Sequence, residues 1–230
     1  MSDAANPNPQ HPGLREGEDN LDSAVSREPR LMLRLSQARK AAAYYLTQPV
    51  AWLLAKTPIT PNAITWFGFL VTLGATALII TRHLFAAGFV VLVAGFFDII
   101  DGALARRTNR TTRFGAILDS TLDRLAEAVL LLGILFLYAS EQSVTGVLVV
   151  GLALVSSLLV SYIRARAEAL SVECHVGIFT RSERVIVLAL GLLLNQFDNA
   201  LVIALAVIAV FSIITIGQRL LYAWQQTKIR

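Results

Sequence analysis

Four aspartates sit where a chain this apolar tolerates charge least. Asp98 and Asp101 close one long apolar run, and Asp119 and Asp123 open another. A carboxylate placed against hydrocarbon costs about 2.5–3.5 kcal/mol on insertion scales, so such residues mark function before they mark stability. The first pair is spaced i,i+3 and the second i,i+4, so on helices each pair occupies one face. Converging carboxylates repel one another unless cations lie between them, and hard divalent ions such as Mg²⁺ take oxygen ligands of this kind. Two such ions can clamp the attacking and leaving oxygens of a phosphoryl displacement. Between the pairs stand Gly102 and Gly115, which lack a Cβ and let a ligand approach the backbone, and Arg106, a partner for carboxylate or phosphate.

The rest of the chain must position these groups. Of its 230 residues 55% are hydrophobic and 16% charged, and the apolar residues come in runs rather than stripes. Ala63–Thr81 and Val144–Ile163 carry no charge, and each is long enough to cross a hydrocarbon core about 30 Å thick. This composition excludes an ordinary soluble domain. The pI near 9.6 reflects basic loops and anionic headgroups rather than nucleic acid. One cysteine, Cys174, cannot form an internal disulfide and reads as a small loop residue.

Residues 1–28 are polar and aperiodic, and read as a disordered cytoplasmic tail. Residues 29–57 mix Leu, Tyr and Trp with Arg and Lys, the pattern of an amphipathic helix lying on a membrane surface; a helix packed on a partner is the alternative. Residues 58–226 then form a six-helix domain. The predicted fold is an all-α integral membrane protein, with six transmembrane helices at about 62–82, 84–107, 114–140, 143–170, 181–196 and 199–224 after the juxtamembrane helix. The fifth is weakest, because only Val185–Leu194 is unbroken. Arg106, Arg107, Arg110 and Arg113 fill the second connection, and Arg164, Arg166, Arg181 and Arg184 flank the fourth; the other turns hold Arg82 with His83, Glu141 and Asp198. Basic residues mark the cytoplasmic side, so both termini and the aspartates are expected to face the cytoplasm of a cell (inner) membrane. Helices 2 and 3, joined by the polar stretch Thr108–Thr112, are expected to pack as an antiparallel pair that gathers all four carboxylates at one depth.

At these residues the chain resembles the CDP-alcohol phosphatidyltransferases. Their motif D-x2-D-G-x2-A-R-x8-G-x3-D-x3-D is met at every fixed position, by Asp98, Asp101, Gly102, Ala105, Arg106, Gly115, Asp119 and Asp123, and the likeness extends over residues 50–225. The resemblance implies transfer of a phosphatidyl group from CDP-diacylglycerol to an alcohol, with release of CMP. It implies that Asp98, Asp101, Asp119 and Asp123 bind two Mg²⁺ ions, with Mn²⁺ a possible substitute, and that Asp123 also accepts the acceptor's proton. The segment Thr60–Thr65 resembles the family's T-P-N/D-x-x-T element, which assigns Pro61, Asn62 and Thr65 to the nucleotide pocket together with Gly102, Ala105, Arg106, Thr112 and Gly115. Thr60 or Asn62 can equally cap the first helix. Homodimers are usual in the family.

The acceptor rests on other residues. Arg164, Arg184 and Arg219 come from three helices, and Arg219 lies within an apolar run where a cation is costly unless it faces a polar cavity. Together they could bind a phosphate; alternatively they follow the positive-inside bias and snorkel. Ser161–Glu168, Arg181-Ser182-Glu183-Arg184 and Gln218-Arg219-Leu220 resemble segments of the phosphatidylinositol phosphate synthase branch, with Arg164 replacing that branch's lysine. The resemblance implies a phosphorylated polyol acceptor, inositol 1-phosphate first and glycerol 3-phosphate second. A cation transporter using the aspartates as an ion site is the reading from another class, and a catalytically dead lipid-binding relative is a third.

Overall fold

The computed structural model describes residues 49–50, 52–108, 111–172, 174 and 176–228. The expected tail at 1–28 and most of the expected surface helix at 29–57 lie outside them. Val50–Arg230 forms one compact unit, and its described secondary structure is helical throughout. Ahead of the first long helix, 52–55 is helical; Trp52 and Leu53 are exposed, while Leu54 and Ala55 pack on Ile64, Ile100 and Leu104.

Six helices follow: α1 Pro61–Ile80, α2 Leu84–Arg107, α3 Arg113–Ser140, α4 Val144–Ala169, α5 Arg181–Leu193 and α6 Ala200–Lys228. Their bounds fall within a few residues of those expected. Thr60 caps α1, accepting the Ala63 amide at 3.3 Å, with Pro61 in the first turn, where its missing N–H costs nothing. Thr60 is thus the cap, and Asn62 is left for the site. Three of the helices close on the same device. Arg82, Gln142 and Ser171 take positive φ, and the amides of His83, Ser143 and Val172 reach back to the carbonyls of Leu78, Tyr138 and Ala167.

The helices pack as a closed ring in the order α1, α2, α5, α6, α4, α3. This corrects one expectation: α2 and α3 are not neighbours in the ring, because α1 packs between them. A short polar link therefore joins two walls instead of making a hairpin. Inside the ring lies an apolar core that includes Ile79, Val91, Leu131, Ile134, Leu188, Leu192, Leu205 and Ile208. The outside is apolar as well, with Leu70, Phe89, Phe136, Leu148, Ile203 and Val210 exposed, more greasy surface than water tolerates. By length and composition, α1, α2, α4 and α6 are long and apolar enough to cross a membrane. The other two fall short for separate reasons: Asp119, Asp123, Arg124 and Glu127 occupy the first half of α3, and α5 has 13 residues.

Candidate active site

The motif aspartates and the candidate arginines gather at one end of the ring, where α2, α4 and α6 finish and α1, α3 and α5 begin. Two cavities open there. The first, about 170 Å³, is lined by Pro61, Asn62 and Thr65 of α1, Asp101, Gly102, Ala105 and Arg106 of α2, and Thr111, Thr112, Gly115, Ala116 and Asp119. Every residue assigned from sequence to the nucleotide pocket lies on this wall. Thr112 caps α3 by accepting the Gly115 amide at 2.9 Å. A Cβ on Gly115 would stand 2.9 Å from that hydroxyl and 3.2 Å from Asn62 Oδ1, so only glycine lets α1 and α3 meet here. The N-termini of both helices border this cavity, and their dipoles favour an anion there.

The second cavity, about 370 Å³, lies between α3, α4, α5 and α6. Asp119, Asp123, Arg124, Arg164, Glu168, Arg181, Arg184 and Arg219 line it. The three arginines expected to share a phosphate are therefore brought together, but each already has protein partners. Arg164 Nε donates to Glu168 Oε1 at 2.8 Å, one turn along α4 and exposed. Arg219, 4% exposed, donates Nε to Val176 O at 2.9 Å and Nη1 to Val160 O at 2.5 Å. Gly177 beside it has φ 137°, and a Cβ there would lie 2.7 Å from Thr215 Cγ2 and 3.2 Å from Arg219 Nε. Arg219 thus tethers the α4–α5 connection as well as lining the cavity.

Asp101 lines the first cavity, Asp123 the second and Asp119 both, while Asp98 lines a third, smaller pocket. Sequence reasoning missed the cation among them. Arg181, in the first turn of α5, places Nη2 at 2.7 Å from Asp98 Oδ2 and Nη1 at 2.7 Å from Asp123 Oδ1. One guanidinium joins α2 to α3 through α5, offsetting the repulsion between carboxylates. Its helix begins with Glu183 reaching back to the Thr180 amide at 2.8 Å, so Arg181 sits on a fixed turn. The T-x-x-E spacing of Thr180 and Glu183 was the available signal. Also missed was Glu127, which pairs with Arg184 deeper in the ring, Oε1 to Nε at 2.5 Å and Oε2 to Nη2 at 2.8 Å.

Four carboxylates are a donor set for hard cations, and Asp101 Oδ2 is buried with no hydrogen-bond partner, an acceptor left for a ligand. Among the described residues no three acidic, histidine or cysteine side chains stand together closely enough to hold an ion as they are. Arg181 engages two of the candidates, so a cation would compete with it for Asp98 and Asp123.

The fold is thus an apolar helical ring that carries carboxylates and arginines in two cavities at one end. A family model of CDP-alcohol phosphatidyltransferases matches residues 58–217, and the chain belongs to that family of enzymes. It is 43% identical over 170 residues to the archaetidylinositol phosphate synthase of Methanothermobacter thermautotrophicus, covering 72% of this chain and 83% of that protein. It is 35% identical over 180 residues to the phosphatidylinositol phosphate synthase of Mycobacteroides abscessus, covering 76% and 82%. A crystal structure of Mycobacterium tuberculosis phosphatidylinositol phosphate synthase with CDP-DAG bound superposes with TM-score 0.72 at 35% identity, covering 78% of this chain and 94% of that one. The same protein in complex with manganese and citrate gives TM-score 0.71 at 35% identity, covering 77% and 88%.

Proposed function

We propose that the protein transfers the phosphatidyl group of CDP-diacylglycerol to a phosphorylated polyol, inositol 1-phosphate, with release of CMP. The observation that carries this reading is the pair of cavities meeting at Asp119, one lined by the nucleotide motif and the other by arginines. The names of the relatives support the same acceptor class.

Asp98, Asp101, Asp119 and Asp123 would hold divalent ions, two Mg²⁺ with Mn²⁺ able to substitute, which neutralise charge on the pyrophosphate. Asn62, Thr65, Gly102 and Gly115 leave room for the cytidine diphosphate, and Arg106 offsets the charge of the departing CMP. Asp123 takes the proton of the acceptor hydroxyl. That oxygen bonds to the β-phosphorus, and the bond from this phosphorus to the bridging oxygen breaks, its electron pair leaving with CMP. Arg164, Arg184 and Arg219 receive the acceptor's phosphate.

All six helices cross the cell membrane in this reading. At about 1.5 Å per residue α5 is about 20 Å long, but it packs between α2 and α6, and its flanking segments complete the crossing. The site end faces the cytoplasm, because Arg106, Arg107, Arg113, Arg166 and Arg181 crowd that end while the other holds Arg82, His83, Glu141 and Asp198. In this reading two copies associate as a homodimer.

The test is CMP release by purified protein with CDP-diacylglycerol and, in parallel, inositol 1-phosphate, glycerol 3-phosphate, free inositol and serine, with Mg²⁺ or with chelator. Release confined to inositol 1-phosphate and abolished by chelation is expected. Preference for glycerol 3-phosphate moves the protein to phosphatidylglycerophosphate synthesis, and equal use of free inositol defeats the arginine pocket.

A further inference from the structure

Glu127 is the only buried carboxylate among the described residues that stands outside the family motif. It lies one turn beyond Asp123 on α3, is 7% exposed, and takes Arg184 in a two-pronged grip through Nε and Nη2. Arg184, 2% exposed, stands on α5, which lies directly across the ring from α3. The pair therefore spans the interior. Glu127 and Arg184 both line a small pocket of about 20 Å³, with Asp98, Arg181 and mostly apolar side chains; the arginine cavity is lined by Arg184 but not by Glu127. Arg184 Nη1 is buried and has no hydrogen-bond partner. With Nε and Nη2 occupied, the guanidinium can offer a further acceptor only the Nη1 side of its rigid fork.

From this geometry, and resting on the proposed acceptor site, we infer that Glu127 is a positioning residue for the acceptor phosphate. It fixes the angle at which Arg184 presents Nη1, and it does so from the same rigid helical face as Asp123. The rise between Asp123 and Glu127 is about 6 Å, set by helix geometry alone. The point where the phosphate is held and the point where the hydroxyl loses its proton are thus referred to one helix. Glu127 sets the spacing between phosphate and nucleophile that an acceptor must match.

A bland role competes with this one: simple neutralisation of a buried cation, for which a paired carboxylate is always needed. The two roles predict opposite results. In Glu127→Gln the amide offers Nε an acceptor but sets a donor against Nη2, so Arg184 turns out of place and its positive charge loses its counter-charge. Positioning predicts that KM for inositol 1-phosphate rises about tenfold, the worth of one charge-assisted hydrogen bond. KM for CDP-diacylglycerol stays unchanged. Neutralisation predicts a lower acceptor KM, because a freer cation attracts a dianion more strongly. In Glu127→Asp the charge remains but the carboxylate withdraws by one methylene; positioning predicts a similar rise, neutralisation predicts wild-type behaviour.

Both variants are assayed by CMP release with each substrate varied in turn, and folding is judged by CDP-diacylglycerol binding. A rise in acceptor KM alone supports the inference. A fall, no change, or an equal rise for both substrates overturns it. If Glu127→Gln does not bind CDP-diacylglycerol, Glu127→Asp decides. The wild-type acceptor series reports separately on the proposed function: a wild type indifferent to the acceptor's phosphate sinks that reading, whereas a phosphate-dependent wild type with unaltered variants sinks only this one.

Discussion

The cavity between α1, α2 and α3 is walled by small side chains, two helix N-termini, Asp101, Asp119 and one arginine, whereas the cavity between α3, α4, α5 and α6 sets Arg124, Arg164, Arg181, Arg184 and Arg219 against Asp119, Asp123 and Glu168. The first makes room. Gly115 lets Thr112 and Asn62 close in on the α3 start, and Gly102 lets Arg106 lie against α2. The arginine cavity carries a concentration of positive charge, but most of its guanidinium groups are already engaged. Arg181 holds two aspartates, Arg184 holds Glu127, Arg219 holds two carbonyls, Arg164 holds Glu168, and Arg124 donates to the Ser120 carbonyl. Cations bound in this way cannot swing to meet a ligand. They offer fixed donors at fixed angles, so under the proposed function the arginine cavity would select by geometry where its neighbour would select by fit.

The sharpest way to break this contrast is at the seam. Asp123 lines the arginine cavity and is held by Arg181. Asp123→Asn is expected to cut CMP release about 10²–10⁴-fold, the usual loss for a general base. Binding of CDP-diacylglycerol, which the proposed function assigns to the other cavity, is expected to survive. A loss of less than about tenfold in single-turnover measurements assigns the proton to another group.

Next in size is Arg219→Ala. It strips the buried Val160 O and the half-buried Val176 O of their donor, and an orphaned buried acceptor costs about 1–3 kcal/mol. Thermal unfolding in detergent should drop by several degrees and acceptor KM should rise, with KM for CDP-diacylglycerol unmoved. A variant of unchanged stability would mean that the carbonyls find other donors, and that the arginine cavity is softer than its contacts imply.

Much of this was legible in the sequence, and unevenly. The aspartate motif needs fixed spacing on two helix ends, and spacing is what a sequence displays. The apolar runs bounded all six helices, because turns such as Thr81–His83 and Glu141–Ser143 punctuate them. The pairing of helices was not legible: nothing in Thr108–Thr112 says that α1 will stand between α2 and α3. The partners of the arginines were hidden for the same reason. Glu127 and Arg184 lie 57 positions apart, and Arg181 and Asp98 lie 83 apart. A lone Glu in the apolar stretch Leu125–Ser140 was the one available clue, since a carboxylate there demands a buried cation.

Smaller again is Gly115→Ala, which probes the first cavity alone. Its Cβ would crowd Thr112 Oγ1 and Asn62 Oδ1, displacing the cap of α3. An N-cap is worth about 1 kcal/mol, so KM for CDP-diacylglycerol should rise about fivefold. The acceptor KM should not move. Equal rises in both would mean that the cavities do not act independently.

The least costly change bears on the weakest point of the contrast. Arg164 is the one member of the expected phosphate trio with an exposed side chain, 45% accessible and tied only to Glu168 within its own helix. Such a pair is worth about 0.3–0.5 kcal/mol, so Arg164→Ala should leave the unfolding temperature almost unchanged. If the arginine cavity selects by fixed donors, an exposed arginine contributes attraction more than geometry. Acceptor KM should then rise only a few-fold, and the difference from wild type should shrink as salt is raised, since an exposed charge is screened within about 10 Å at 0.1 M ionic strength. The losses in Glu127→Gln and Arg219→Ala should persist at high salt, because buried, hydrogen-bonded groups are screened far less. A salt-insensitive loss in Arg164→Ala would place its guanidinium on the phosphate in the same manner as Arg184. The contrast would then lie between α4 and the rest of the site, not between the two cavities.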